Sequence, residues 1–273
     1  MLDAVCVVDK SGNFVYASAA FESMFGYAPE EVIGKPVIDF VCLEDNKRTL
    51  NAVGKLKSGV VYQSFENRWI HKSGNIVDVL WSARWSEKHQ MRIAVAHDIT
   101  GRKQMENKLV YLANHDSLTQ LPNRLLLRES LNDAIACSQA KKSNFCLLFL
   151  DVNRFKQIND QYGHSLGDRV LAIVAKRLVN CVRHSDTVGR LGGDEFLIVL
   201  NSVAQHSDAL LFSEKIKREI EKPIALDKVI LNVSLSVGIA RYPQDAGNID
   251  DLLQYADKAM YTEKQRQVER LHR

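Results

Sequence analysis

Two consecutive acids, Asp194 and Glu195, stand directly after Gly192-Gly193 and directly before the apolar run Phe196–Leu200. With Thr187–Leu191 ahead of the glycines, the pattern predicts a β-hairpin, because glycine takes positive φ without steric cost. A hairpin does not need acids at its tip. Carboxylates so placed serve solvent, a cation or a phosphate-bound metal. A third acid narrows the choice. Asp151 ends the continuous apolar run Phe145–Leu150, which reads as a strand buried on both faces. An acid at the end of such a strand is costly unless it meets a cation or a hydrogen-bond donor, so Asp151 is the partner expected for the acids at 194 and 195. Behind it, Val152-Asn153-Arg154-Phe155-Lys156 turns into a helix start, where exposed N–H groups beside Lys156 can hold phosphate. These are parts suited to metal-assisted chemistry on a phosphate ester.

The flanking segments must position those parts. A polar turn, Asn114–Arg124, leads into a helix over Leu125–Ala140. The helix after Asp151 is broken at Tyr162-Gly163-His164-Ser165, and Val170, Leu171, Val174, Leu178 and Val179 give the next one clean helical spacing to about Val182. A further helix is expected over Ser207–Glu221, strand over Val229–Ala240 broken by a turn or bulge, and a last helix from Ile249 to about Arg266. The order β-α-α-β-β-α-β-α predicts a central, largely antiparallel sheet flanked by helices. The first hundred residues read differently. Strands are expected at Val5–Asp9, Phe14–Ala17, Val60–Ile70, Ile76–Glu87 and Met91–His97, with helical pieces at Ser18–Phe25, Ala28–Gly34 and within Asp39–Leu56. That order gives an antiparallel sheet with helices on one face, and an α+β class for the whole chain. Between the two halves, Met105, Leu109 and Leu112 form one apolar stripe at i, i+4 and i+7 on a connector helix, suited to packing or to pairing with a second copy.

Composition excludes several classes of function. The 273 residues are 46% hydrophobic and 25% charged, as expected of two globular domains. A net charge of +3 without a Lys/Arg block argues against nucleic-acid binding. No run approaches the roughly 20 apolar residues of a membrane span, and no signal peptide is visible, so a cytoplasmic location is expected. The five cysteines are scattered without a CxxC pair, which predicts buried thiols in place of a zinc site or disulfides.

Residues 1–103 resemble a PAS sensor domain. The resemblance is carried by Asp9-Lys10-Ser11-Gly12-Asn13, Phe21–Tyr27, Glu31-Val32-Ile33-Gly34-Lys35 and the closing Asp98-Ile99-Thr100-Gly101-Arg102-Lys103, with Ser18 where the family often has Asn. The Asn-Cys-Arg-Phe-Leu-Gln run of flavin-binding light sensors is absent. His71, His89 and His97 read as turn and strand-end residues, not haem ligands, and Trp69, Trp81 and Trp85 as sheet-face packing. The PAS ligand, if there is one, is unknown.

After a connector helix at 104–115, residues 116–273 resemble a GGDEF-type diguanylate cyclase, related in fold to the palm of polymerases and nucleotide cyclases. The matching motifs are Asp116-x-Leu118-Thr119-x-Leu121-Pro122-Asn123-Arg124, Asp151–Lys156, Asn159-Asp160-x-x-Gly163-His164-x-x-Gly167-Asp168, Gly192–Phe196 and Ala256-Asp257-x-Ala259-Met260-Tyr261. The resemblance implies a homodimer that condenses two GTP into cyclic di-GMP and two pyrophosphates. It implies Mg²⁺, or Mn²⁺ in its place, on Asp151, the Val152 carbonyl, Asp194 and Glu195, with Asp194 also a candidate proton acceptor. It places guanine on Asn159 and Asp168, phosphates on Phe155, Lys156 and Lys264, and an inhibitory product site on Arg183 and Asp186. Two positions depart from the family. Lys264 is followed by Gln265-Arg266-Gln267-Val268 where Lys-x-x-Gly-Arg is usual, and Asn153 replaces a second Asp. Weaker GTP affinity is expected from the first, with Arg266 or Arg270 as candidate substitutes. The rival reading is a non-catalytic receptor for GTP or cyclic di-GMP, and either version fits a piece of a longer signalling protein.

Overall fold

The structure, a computed structural model, describes residues 3–57, 62–203, 206–227 and 229–271. It divides into two compact units, Met1–Leu109 and Val110–Arg273.

In the first unit, β1 (Ala4–Asp9) and β2 (Phe14–Ala17) are followed by α1 (Ala19–Phe25), α2 (Pro29–Val32) and α3 (Asn46–Lys57). The strands β3 (Tyr62–Ile70), β4 (Ile76–Ser86) and β5 (Met91–Asp98) complete an antiparallel sheet of order β2-β1-β5-β4-β3. Of the third strand expected from Val60, residues 60–61 lie outside the described residues. Alternation decides which face packs. Cys6, Val8, Trp69, Val79, Trp81, Ala94 and Ala96 are buried against Phe21, Phe25 and Phe40. Trp69 and Trp81 are therefore core residues, and both indole N–H groups donate to Asn67 Oδ1, at 3.0 and 2.8 Å. Trp85 is only half-buried. His97 Nδ1 lies 2.7 Å from Asp3 and His71 Nδ1 2.8 Å from Ser73, in line with peripheral roles.

Helix α4 (Thr100–Asn114) begins where Lys103 and Arg102 pair with Glu66 of β3. Met105, Leu109 and Leu112 are all exposed, at 67%, 62% and 50%.

The second unit runs α5 (Arg124–Lys141), β6 (Phe145–Val152), α6 (Phe155–Tyr162), α7 (His164–Cys181), β7 (Thr187–Gly192), β8 (Glu195–Asn201) and α8 (His206–Ile220). Then come β9 (Ile224–Leu226), β10 (Val229–Leu231), β11 (Leu235–Tyr242) and α9 (Ile249–Leu271). The central sheet has the order β11-β6-β8-β7 and is antiparallel throughout. The segment expected as broken strand over 229–240 serves two sheets. Val229–Leu231 pairs with the unexpected short strand β9, and the chain enters the central sheet only at Leu235. A three-residue strand such as β9 is too short to show a period. Helix α9 also continues to Leu271, beyond the expected end near Arg266.

All eight residues of β6 are buried, and its two faces meet different helices. Leu148, Leu150 and Val152 share a core with Val170, Leu171 and Val174 of α7. Phe145, Leu147 and Phe149 share one with Leu127 and Leu131 of α5 and Ala256 and Met260 of α9. Among the described residues no helix is long and apolar enough to cross a membrane.

Candidate active site

The parity of β6 puts Asp151 on the α5/α9 face, because it follows Phe145, Leu147 and Phe149 at even spacing. Glu195 is its direct cross-strand partner, and Leu197 and Val199 of the same strand belong to the same core. Paired residues on adjacent antiparallel strands project to one side, so Asp151 and Glu195 face each other beneath α9. Asp194 lies in the turn before β8, and its carbonyl accepts the Val152 N–H at 3.2 Å.

Asp151 is only 6% exposed. Burial raises its pKa, and the charges of Asp194 and Asp257 add to the rise while Lys264 opposes it. Glu195 is raised by burial, then by Asp151, Asp194 and Asp257. The Lys264 ammonium donates to Asp151 Oδ1 at 2.6 Å. One lysine among these acids leaves the site short of positive charge, a field that favours a cation. Asp257 belongs to the Ala256-Asp257-x-Ala259-Met260-Tyr261 motif, and its spacing from Lys264 at i, i+7 is the signal that places both on one helix face.

The hairpin tip is held from outside. Arg190 Nε and Nη2 donate to the Gly193 carbonyl at 3.0 and 2.6 Å, and its Nη1 donates to Asp116 Oδ1 at 2.8 Å. Asp116 also accepts from Thr119, through its N–H at 2.8 Å and its hydroxyl at 2.6 Å. Gly193 has φ of +53° and no neighbour within 4 Å of an added Cβ, so backbone conformation and not space calls for glycine there. The polar turn thus anchors the acid-bearing turn through one arginine, a role the sequence reading did not assign. Asn123 caps α5 by accepting the Leu125 and Leu126 N–H groups.

Across the sheet, Gly163 (φ +84°) separates α6 from α7 and lets them cross closely. At the crossing Asn159 lies against Gly167, where an added Cβ would stand 1.9 Å from Asn159 Oδ1. Among the described residues that buried oxygen has no hydrogen-bond partner, a costly state that a ligand donor would relieve. Asp168 is the exposed residue next to Gly167. Gly167→Ala is expected to push α7 off α6 and lower stability by about 1–3 kcal/mol. Chemical denaturation of the variant beside the parent measures that loss.

Phe155 and Lys156 open α6, where first-turn N–H groups lack intrahelical acceptors. Phe155 is buried and Lys156 exposed. Arg154 precedes them in the left-handed region at φ +57°, a strained position of the kind found at ligand loops. Asn153 donates to Gln267 Oε1 at 2.8 Å and to Ser234 Oγ at 3.0 Å, and accepts from Ser236 at 2.7 Å. Gln267, one turn beyond Lys264, thereby ties α9 to the end of β6. Arg266 is exposed, and the side chains of Val268 and Arg270 lie outside the described residues. Arg183 is exposed in the turn before β7. Asp186 accepts the Arg183 and Asn201 N–H groups, both at 3.1 Å, and no ion pair between Arg183 and Asp186 occurs among the described residues.

The donor set suits a hard divalent cation, being carboxylates and one backbone carbonyl, all oxygen. Among the described residues no three acidic, histidine or cysteine side chains converge as a ready-made cage.

A family model described as diguanylate cyclase, GGDEF domain, matches residues 113–270, and a PAS-domain model matches residues 2–101. Diguanylate cyclase TpbB of Pseudomonas aeruginosa is 43% identical over 165 residues, 60% of this chain and 38% of that protein. A solved structure comprising only the GGDEF domain of TpbB aligns at a TM-score of 0.54 with 42% identity, covering 56% of this chain and 89% of that one. The bifunctional diguanylate cyclase/cyclic di-GMP phosphodiesterase MucR of the same organism is 41% identical over 60% of this chain and 24% of its own length. The chain thus spans about a quarter to two fifths of the length of these curated relatives. With a GGDEF model matching more than half of its residues behind a matched PAS domain, the chain belongs to the GGDEF family.

Proposed function

We propose that the chain is a diguanylate cyclase, condensing two GTP into cyclic di-GMP under control of its PAS domain. The observation that carries this reading is the cross-strand pair of Asp151 and Glu195, raised in pKa by burial and neighbouring charge and answered by Lys264. A structural acid would be placed where solvent or a full set of donors compensates it.

In this reading Asn159 and Asp168 read guanine. Asp168 accepts from the ring N1–H and the amino group, and Asn159 bonds the acceptor and donor edge. The N–H groups at Phe155 and Lys156, with the Lys156 and Lys264 ammonium groups, hold the phosphates. Asp151, the Val152 carbonyl, Asp194 and Glu195 would hold Mg²⁺, or Mn²⁺, whose chemistry is to neutralise the triphosphate. Magnesium commonly takes one or two carboxylates and completes its shell from substrate phosphates and water, which fits a site without a full protein cage. Asp194 at the hairpin tip accepts the proton of a 3′-hydroxyl as its oxygen bonds to the α-phosphorus of the second GTP and pyrophosphate leaves. The mirrored step closes the ring. Two subunits must face each other for this, and the exposed stripe of Met105, Leu109 and Leu112 offers a face for pairing.

The test is incubation with GTP and Mg²⁺, with cyclic di-GMP as the expected product. GTP binding without product would leave the receptor reading, which Val268 in place of the family's arginine favours. If product accumulates and slows the reaction, Arg183→Ala is expected to abolish that inhibition and weaken cyclic di-GMP binding at least tenfold, through loss of a guanidinium contact to phosphate or guanine. Undiminished binding would remove the inhibitory site.

A further inference from the structure

The first unit holds a cavity of about 40 Å³ between α3 and the inner face of its sheet. Ala52, Val53 and Leu56 of α3 line one side, and Trp69, Trp81 and Ala94 the other. The lining also contains one strong cation, Arg92. Arg92 sits opposite Val8 of β1 and shares the inward register of the buried Ala94 and Ala96, its own side chain being half-buried. Its Nε is buried and has no hydrogen-bond partner among the described residues.

The other polar groups of the cavity are already engaged. Asn67 accepts from both tryptophans and donates to Thr49, and Thr49 donates to the Asp45 carbonyl. The ionisable neighbour of Arg92 is Cys6, and burial pushes that thiol up to about 12, so it is neutral near pH 7 and supplies no countercharge. A guanidinium stays charged at any working pH. An uncompensated cation in a largely apolar wall is unfavourable by itself and is relieved by an anion.

We propose that this cavity binds a short aliphatic monocarboxylate, its carboxylate on the guanidinium edge of Arg92 and its alkyl tail against Leu56, Trp69 and Trp81. The planar fork of Arg matches a carboxylate in two parallel hydrogen bonds. Apolar walls suit a hydrocarbon tail better than the evenly polar surface of phosphate. The volume holds about three or four water-sized groups, which matches acetate or propionate. The site goes beyond the cyclase reading and stands independently of it.

The test is calorimetric titration of the full chain with sodium propionate, beside uncharged propionamide and, at equal ionic strength, sodium phosphate and sodium chloride. Saturable propionate binding is expected, at least tenfold tighter than propionamide, with no site-specific uptake of phosphate or chloride. Arg92→Met keeps the bulk and removes the charge. It should lose at least tenfold in propionate affinity while unfolding at no lower temperature than the parent, since a buried charge has gone. Ala52→Leu fills the cavity with Arg92 intact and should also lose binding. Absence of saturable propionate binding, equal binding of propionamide, preference for an inorganic anion, or retained affinity in Arg92→Met would each overturn the proposal.

Discussion

Asp151→Asn is expected to reduce cyclic di-GMP formation by about 10³-fold, the scale of removing one group that stabilises charge in a reacting centre. The substitution keeps the shape of the side chain and an oxygen for Lys264, so the local packing of β6 survives. Stability should move the other way. Burial and the charges of Asp194 and Asp257 raise the Asp151 pKa in the folded state. A carboxylic acid raised on folding detracts from stability as pH climbs from its unfolded value through its folded one, so neutralising it removes that loss. The variant is therefore expected to melt at or above the parent temperature at pH 7 while its turnover collapses. The check is a cyclase assay beside a thermal scan of the same preparation. Turnover within tenfold of the parent would show that Asp151 lies outside the reaction. A drop of several degrees in melting temperature would show that the site gains from its charge.

Asp116→Ala is expected to be the more damaging change to the fold of the second unit. The Arg190 side chain is 10% exposed and that of Asp116 21%. Removing the carboxylate leaves a nearly buried guanidinium with the Gly193 carbonyl as its one partner among the described residues, and breaking such a pair costs about 3 kcal/mol. For a domain of this size that is a fall of about 8 °C in melting temperature. Because Arg190 joins the polar turn to Gly193, cyclase activity should fall along with stability. Asp116→Asn retains one acceptor and should fall between the two. The pH dependence follows from the same contacts. Burial by itself would raise the Asp116 pKa, but hydrogen bonds from Thr119 and Arg190 outweigh it and hold it below its ordinary value. A depressed carboxylate contributes stability that is complete above its unfolded pKa, near 4, and is lost as pH falls through its folded one. The parent should therefore lose stability on acidification below about pH 4 more steeply than Asp116→Ala, as followed by denaturation across that range. Parallel curves would remove the clamp.

Much of the fold was legible along the chain because its elements are strongly patterned. Phe145–Leu150 could only be a strand covered on both faces, and the spacing of Val170, Leu171, Val174 and Leu178 leaves little alternative to a helix. The antiparallel sheet with helices between its second and third strands, and the mixed second half, follow from element order. The short strand β9 and the true end of α9 were not legible. Neither carries enough periodic residues to outweigh local ambiguity.

At the site, the residue types and their clustering at turns belong to the sequence by itself. An acid ending a buried strand and two acids after Gly-Gly announce concentrated negative charge, whereas the nucleotide-reading role of Asn159 and Asp168 is implied by the family resemblance alone. What they face is a property of the tertiary structure. Strand register decided that Asp151 stands opposite Glu195, because a shift of one residue would turn either side chain to the other core. The docking of α9 decided that Lys264 and Asp257 join them, since contacts between residues far apart in sequence depend on how helices pack and not on local preference. Arg190 reaching both Asp116 and Gly193 is of the same kind. In the first sheet the register of β5 against β1 placed Arg92 on the cavity side with its Nε unpartnered among the described residues, which no reading of its neighbours in sequence reveals.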